Sequence, residues 1–101
     1  MLVEFSIVPL GSGSSISSRI AEVLGLVDAS GLPYRVTPMG TVVEGSWDDI
    51  FRLIKRCHRI TLQQEERVVT TIRIDDRKGT ANRIDAKVRS VEKKLGKVLK
   101  K

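Results

Sequence analysis

Twice along this chain a run of alternating or β-branched residues gives way to a run with helical spacing, and then to a second extended run. In residues 2 to 9, Val3, Phe5 and Ile7 fall on one face and Glu4 and Ser6 on the other, the pattern of a strand with one buried side; Pro9 is expected to end it. Ile16, Ile20, Val23, Leu24 and Val27 then recur at helical intervals, Gly31 with Pro33 stops the helix, and Tyr34 to Thr37 reads as a second strand. Pro38-Met39-Gly40 makes a tight corner into a third strand, Thr41 to Glu44. Ser46, followed three residues later by Asp49, caps a second helix whose expected buried stripe is Trp47, Ile50, Phe51, Ile54 and Cys57 or His58. Arg67 to Asp75 alternates again as a fourth strand. From Thr80 a third helix carries Ala81, Ile84, Val88, Val91, Leu95 and Val98, an unbroken seam that requires a partner surface.

The order βαββαβ plus a helix predicts an α+β fold: a ferredoxin-like sandwich, with a four-stranded antiparallel sheet, two helices on one face and an additional C-terminal helix. All 101 residues form one expected domain, with 77–101 its basic C-terminal helix. The other sheet face is expected to stay open and to present Glu4, Ser6, Arg35, Thr37, Thr71, Arg73 and Asp75. Such a convergence of hydroxyls, carboxylates and guanidinium groups suits a small polar ligand or a second sheet.

Charge and composition remove several function classes. The net charge is +6, but residues 77–101 hold ten Lys or Arg against Asp85 and Glu92, net +8, so residues 1–76 are at −2. Any argument for an anionic partner therefore concerns the last quarter of the chain. Base stacking by a sheet of this type needs aromatic residues on the open face. The four aromatics fall elsewhere, with Phe5 and Tyr34 in the helix-facing register and Trp47 and Phe51 on the second helix. No specific nucleic-acid partner is expected. A single cysteine excludes an internal disulfide and a cysteine-clustered zinc site, and no metal or other cofactor is implied. Residues 1–10 hold no basic lead-in or long apolar run, so no membrane association and a cytoplasmic location are the expectation.

Chemistry-bearing motifs are few. The turn Gly11 to Ser15 lacks the third glycine of a dinucleotide loop and the Gly-Lys-Ser/Thr of a phosphate loop. It is either an ordinary cap turn or a small anion site at a helix N-terminus involving Gly13, Ser14 and Ser15. Cys57 and His58 are adjacent on a helix and diverge by about 100°, which argues against a nucleophile pair and for a packed cysteine. Asp48-Asp49, Glu65-Glu66 and Asp75-Asp76 are explained by helix-end, loop and turn chemistry. No catalytic residue is expected, and the chain reads as a non-enzyme.

Five blocks together carry a family resemblance: EFSIVPLGSG (4–13), SGLPY (30–34), TPMGT (37–41), EGSWD (44–48) and TIRIDDR (71–77). In this order they resemble the thiamine-binding protein family, small ferredoxin-like proteins related to the YkoF thiamine and hydroxymethylpyrimidine binders. His58-Arg59 departs from the His-Glu often found in that family's second helix. The resemblance implies a non-catalytic binder of thiamine or its pyrimidine moiety, associating through its sheets into dimers or tetramers. An aminopyrimidine needs paired donors and acceptors, which Ser6, Thr37, Thr41 and the backbone around Met39 and Gly40 can supply. A thiazolium cation is stabilised by a carboxylate such as Glu44 or Asp75, with Arg73 beside it. The alternative is a structural or regulatory oligomeric module that binds a protein partner and no small molecule.

Overall fold

A computed structural model describes residues 1–10, 16–79 and 83–100 of the chain. Its elements run β1 (Leu2–Leu10), α1 (Ile16–Ala29), β2 (Tyr34–Thr37), β3 (Gly40–Glu44), α2 (Trp47–Leu62), β4 (Arg67–Asp75) and α3 (Arg83–Leu95). The strands form one antiparallel sheet in the order β2-β3-β1-β4, with β1 in the middle pairing with β3 on one side and β4 on the other. This is the ferredoxin-like arrangement with a helix added at its end.

Local chemistry accounts for the boundaries. Ser46 adopts an extended backbone and its hydroxyl accepts the Asp49 N–H at 3.1 Å, so the cap read from sequence starts α2 where expected. Gly31 takes a φ of 77°, a left-handed conformation that glycine adopts without a Cβ penalty, and turns the chain from α1 into β2. The first turn of α3, expected from Thr80 with Ala81 in its seam, lies outside the described residues, as does the Gly13-Ser14-Ser15 turn.

Val3 and Phe5 of β1 and Val43 of β3 meet Val23 and Val27 of α1 and Ile50, Leu53, Ile54 and Cys57 of α2 in one buried cluster. One feature of this packing corrects the sequence reading, and a second decides between two residues it left open. Trp47 is exposed and stacks on Phe51, ring centroids 5.1 Å apart, while Leu53 takes the core place. In the first turn of α2 the large ring lies against a neighbour one turn on, outside the dome of the core. Of the Cys57–His58 pair, Cys57 is the buried one, and His58 Nδ1 sits 2.6 Å from Thr70 Oγ1, linking α2 to β4.

Pro9 does not end β1, which runs on to Leu10 and stays in register with β4 through Leu10–Arg67. The cause is the direction of the backbone groups. Gly45 donates its N–H to Met1 and Glu44 donates to Pro33, both at 3.0 Å, so odd residues of β3 face β1 and even ones face β2. On β1 the odd residues correspondingly face β3, whose register with β1 ends at Phe5–Thr41. The donor that Pro9 lacks would thus have pointed to a side where no strand runs.

The face away from α1 and α2 is not wholly open. α3 packs against β3 there, and the Arg35 guanidinium meets the Asp85 carboxylate at 2.6 Å. Glu44, on this face of β3, is buried. The seam of α3 emerges from this contact: Ile84 and Val88 are half-buried and Val91 and Leu95 exposed, but the helix ends at Leu95, where Gly96 takes a left-handed φ of 71°, so Val98, expected in the seam, lies exposed beyond it. Among the described residues no helix is long and apolar enough to cross a membrane, and no three His, Cys, Asp or Glu side chains gather as metal ligands.

Candidate functional site

The β2–β3 hairpin turns at Pro38-Met39, and Thr37 builds that turn. Its hydroxyl donates to the Gly40 carbonyl at 2.9 Å and accepts from the N–H groups of Met39 and Gly40, each at 3.2 Å. One side chain therefore fixes a two-residue loop, and its hydrogen-bonding capacity is used internally. Gly40 matters for a second reason: a Cβ there would stand 3.0 Å from the Phe5 carbonyl oxygen, so any larger residue makes the β1 backbone give by a few tenths of an ångström where β3 starts.

Because the hairpin curls off the sheet while β1 continues, a cavity of about 200 Å³ opens between the hairpin, β1 and α1. Phe5, Ile20, Val23, Leu24 and Val36 make its apolar lining, and Thr37 to Thr41 form one wall. Ile20 and Val36 are about half exposed, so the lining is uncovered at the mouth. The volume holds one six-membered ring. Thr41, nearly buried, and Ser6, half-buried, both line it, and neither side chain makes a hydrogen bond among the described residues. They project from opposite faces of the sheet and come near each other only at the edge where β3 begins.

A second depression, about 210 Å³, continues around Met39 onto the other sheet face, sharing Phe5, Ser6, Met39 and Gly40's neighbour strand β1 with the first. Glu4, Thr71 and Arg73 line it, and Glu4 and Arg73 lead on to a shallow groove of about 390 Å³ that ends at Asp75. The Arg73 guanidinium lies 3.5 Å from the Glu4 carboxylate. The result is a path from an apolar slot, past Ser6 and the exposed Met39, to a charged groove holding two carboxylates and one guanidinium.

Of the expected ligand set, Ser6, Thr37, Met39, Gly40 and Thr41 are brought together around the apolar slot, and Arg73 and Asp75 lie along the groove. Glu44 stands apart: it lines none of these depressions and is buried on the side of β3 where α3 packs. The carboxylate that joins the second depression to the charged groove is Glu4, which the alternation of β1 places on the open face but which the expected ligand set leaves out. Ile20 and Leu24 are also additions. Their signal was an α1 stripe wider than the core uses, since only Val23 and Val27 of that helix are buried.

The chain matches the family profile described as thiamine-binding protein over residues 3–92. This chain belongs to the thiamine-binding protein family. It is 34% identical to a UPF0045 protein of Methanocaldococcus jannaschii, over 90% of this chain and 91% of the relative, and 35% identical to the UPF0045 protein YqgV of Bacillus subtilis, over 93% and 96%. The crystal structure of the M. jannaschii protein superposes with a TM-score of 0.82 at 34% identity, covering 89% of this chain and 93% of the other. A Thermotoga maritima structure, described as that of a candidate thiamine biosynthesis/salvage protein, has a TM-score of 0.78 at 27% identity, covering 89% and 96%. The family match spans β1 to most of α3, so the slot and the charged groove both lie within the part shared with the thiamine-binding family.

Proposed function

We propose that this protein binds thiamine or its hydroxymethylpyrimidine moiety without transforming it, the pyrimidine entering the slot between α1 and the β2–β3 hairpin. The observation that carries this is the joining of two unlike surfaces at Ser6 and Met39. One is an apolar slot of single-ring size with hydroxyls at Ser6 and Thr41 that make no protein hydrogen bond among the described residues; the other is a groove with the carboxylates Glu4 and Asp75. Thiamine has the same division, a neutral aminopyrimidine bonded through one carbon to a cationic thiazolium. The family and the T. maritima relative's description support the same ligand class. No nucleophile with a base and an orienting group in reach stands beside the slot among the described residues, which favours binding over catalysis.

The reading includes a cytoplasmic homo-oligomer, dimer or tetramer, formed through the sheets. Val8, Leu10 and Val69 lie together on the sheet face away from α1 and α2, all exposed, and Val91 and Leu95 of α3 are exposed beside basic side chains, as is Val98 beyond the helix end. Apolar rows of this kind are buried by association. Isothermal titration of the purified protein with thiamine and with hydroxymethylpyrimidine tests the ligand: saturable heat with either supports it, and no heat from either at protein concentrations well above micromolar overturns it.

A further inference from the structure

Resting on the assignment of a pyrimidine to the slot, we infer that the backbone of Ile7 is the element that selects the heterocycle, and that it selects an amidine edge: a ring nitrogen acceptor beside an exocyclic amino donor. Odd residues of β1 turn their N–H and C=O toward β3, as the Gly45-to-Met1 bond and the approach of the Phe5 carbonyl to Gly40 establish. Val3 and Phe5 find partners in Val43 and Thr41. Ile7 is the next odd residue, and β3 has already turned away into the hairpin, so its N–H and C=O point into the gap that is the slot, which Ile7 lines. Its half-buried side chain lies on the helix side with that of Phe5, so a ring in the slot has the Ile7 side chain against its face and the Ile7 backbone groups at its edge.

A strand residue whose two groups face one way offers a donor and an acceptor side by side and in one plane, with a geometry already set by the β4 pairing on its other edge. A planar ring lying in the plane of the sheet continues the ladder where β3 stops. Its ring nitrogen accepts from Ile7 N–H and its amino group donates to Ile7 C=O. Pro9, the following odd residue, adds a carbonyl but no competing donor on this side. A 4-aminopyrimidine has this edge. The same ring without its amino group leaves the Ile7 carbonyl unsatisfied, a loss of about tenfold in affinity by the ordinary cost of one such hydrogen bond.

The test uses the full ¹⁵N-labelled chain and two probes, 4-amino-5-hydroxymethyl-2-methylpyrimidine and the same ring carrying hydrogen at C4. With the amino probe, the Ile7 amide is expected to show one of the largest downfield shifts and to slow its exchange with solvent, and the amino probe binds about tenfold more tightly. Ile7→Pro, which removes the N–H and keeps the C=O at a position two residues from the tolerated Pro9, is expected to weaken both probes by about tenfold and to leave the amino preference in place, whereas unchanged binding of both probes by this variant would overturn the inference. Equal binding of both probes with the Ile7 amide unmoved overturns the inference while leaving pyrimidine binding intact. Absence of binding by either probe overturns both. If Ile7→Pro does not fold, the amide shift in the unmodified chain still decides.

Discussion

Thr37 and Gly40 hold each other twice, the threonine hydroxyl donating to the glycine carbonyl at 2.9 Å and accepting its N–H at 3.2 Å. This pair sets the angle at which the hairpin leaves β1, and so the width of the slot. Thr37→Val is expected to lower unfolding free energy by about 1–2 kcal/mol, since it leaves the turn's donors and acceptor unpaired. Thr37→Ser keeps the hydroxyl and costs less. Chemical denaturation checks the order of the two variants, and ligand affinity should follow the same order.

Gly40→Ala places a methyl 3.0 Å from the Phe5 carbonyl oxygen, where backbone, not a movable side chain, must give way. The expected loss of stability is about 1–3 kcal/mol. Gly25→Ala, where a Cβ meets nothing within 4 Å and the site is mid-helix, is expected to be neutral or stabilising by up to about 1 kcal/mol. Thermal unfolding of the two variants side by side measures the contrast.

The two parts of the binding path predict a split between ligands. Thr41→Val and Ser6→Ala are expected to weaken thiamine and hydroxymethylpyrimidine alike, each by about three- to tenfold. Glu4→Gln is expected to weaken only the cationic thiamine. Glu44→Gln, away from the path, is expected to leave the dissociation constant unchanged, whatever it does to stability. Titration calorimetry with both ligands reads all four variants.

Cys57 supplies a pH prediction. Burial pushes its thiol up to about 11 from an ordinary 9.0, and the sulfur lies 3.9 Å from the Val23 carbonyl oxygen. The folded state therefore holds its proton after the unfolded chain has released it. This contribution to stability is complete below about pH 9 and is lost as pH rises toward 11. Stability of the native protein should fall over that window more steeply than that of Cys57→Ala, and a thiol reagent at pH 8 should label the cysteine only on unfolding.

The exposed row on α3 predicts assembly. Val91→Asp with Leu95→Asp is expected to shift the protein to a smaller species in sedimentation velocity while leaving the far-ultraviolet spectrum of the folded domain in place. An unchanged sedimentation coefficient would remove α3 from the interface.

Much of this was legible in the residues because local signals agreed with one another. The Ser46 cap, the alternation of Arg67 to Asp75 and the Gly31-Pro33 stop each name a boundary by a mechanism confined to a few residues, and the structure puts α2, β4 and the end of α1 there. What was not legible depended on neighbours distant in sequence. Pro9 ends a strand only if the partner needs its N–H, and β3 had already left. The seam of α3 announces that something covers it without saying that β3 covers its first half. The candidate site shows the same division. The TPMGT corner marks the hairpin, but that Thr37 spends its hydroxyl on Gly40, that Glu44 is buried away from the slot, and that Ile20 and Leu24 reach it all follow from how α1 and α3 dock.

A crystal structure of the protein grown with thiamine tests the central claim most directly. The account predicts the pyrimidine ring between α1 and the β2–β3 hairpin, within hydrogen-bonding distance of the Ile7 backbone, and the thiazolium past Ser6 toward Glu4. A ligand bound elsewhere on the molecule, with the slot between Ile20, Val36 and Thr41 empty at saturating thiamine, would contradict it.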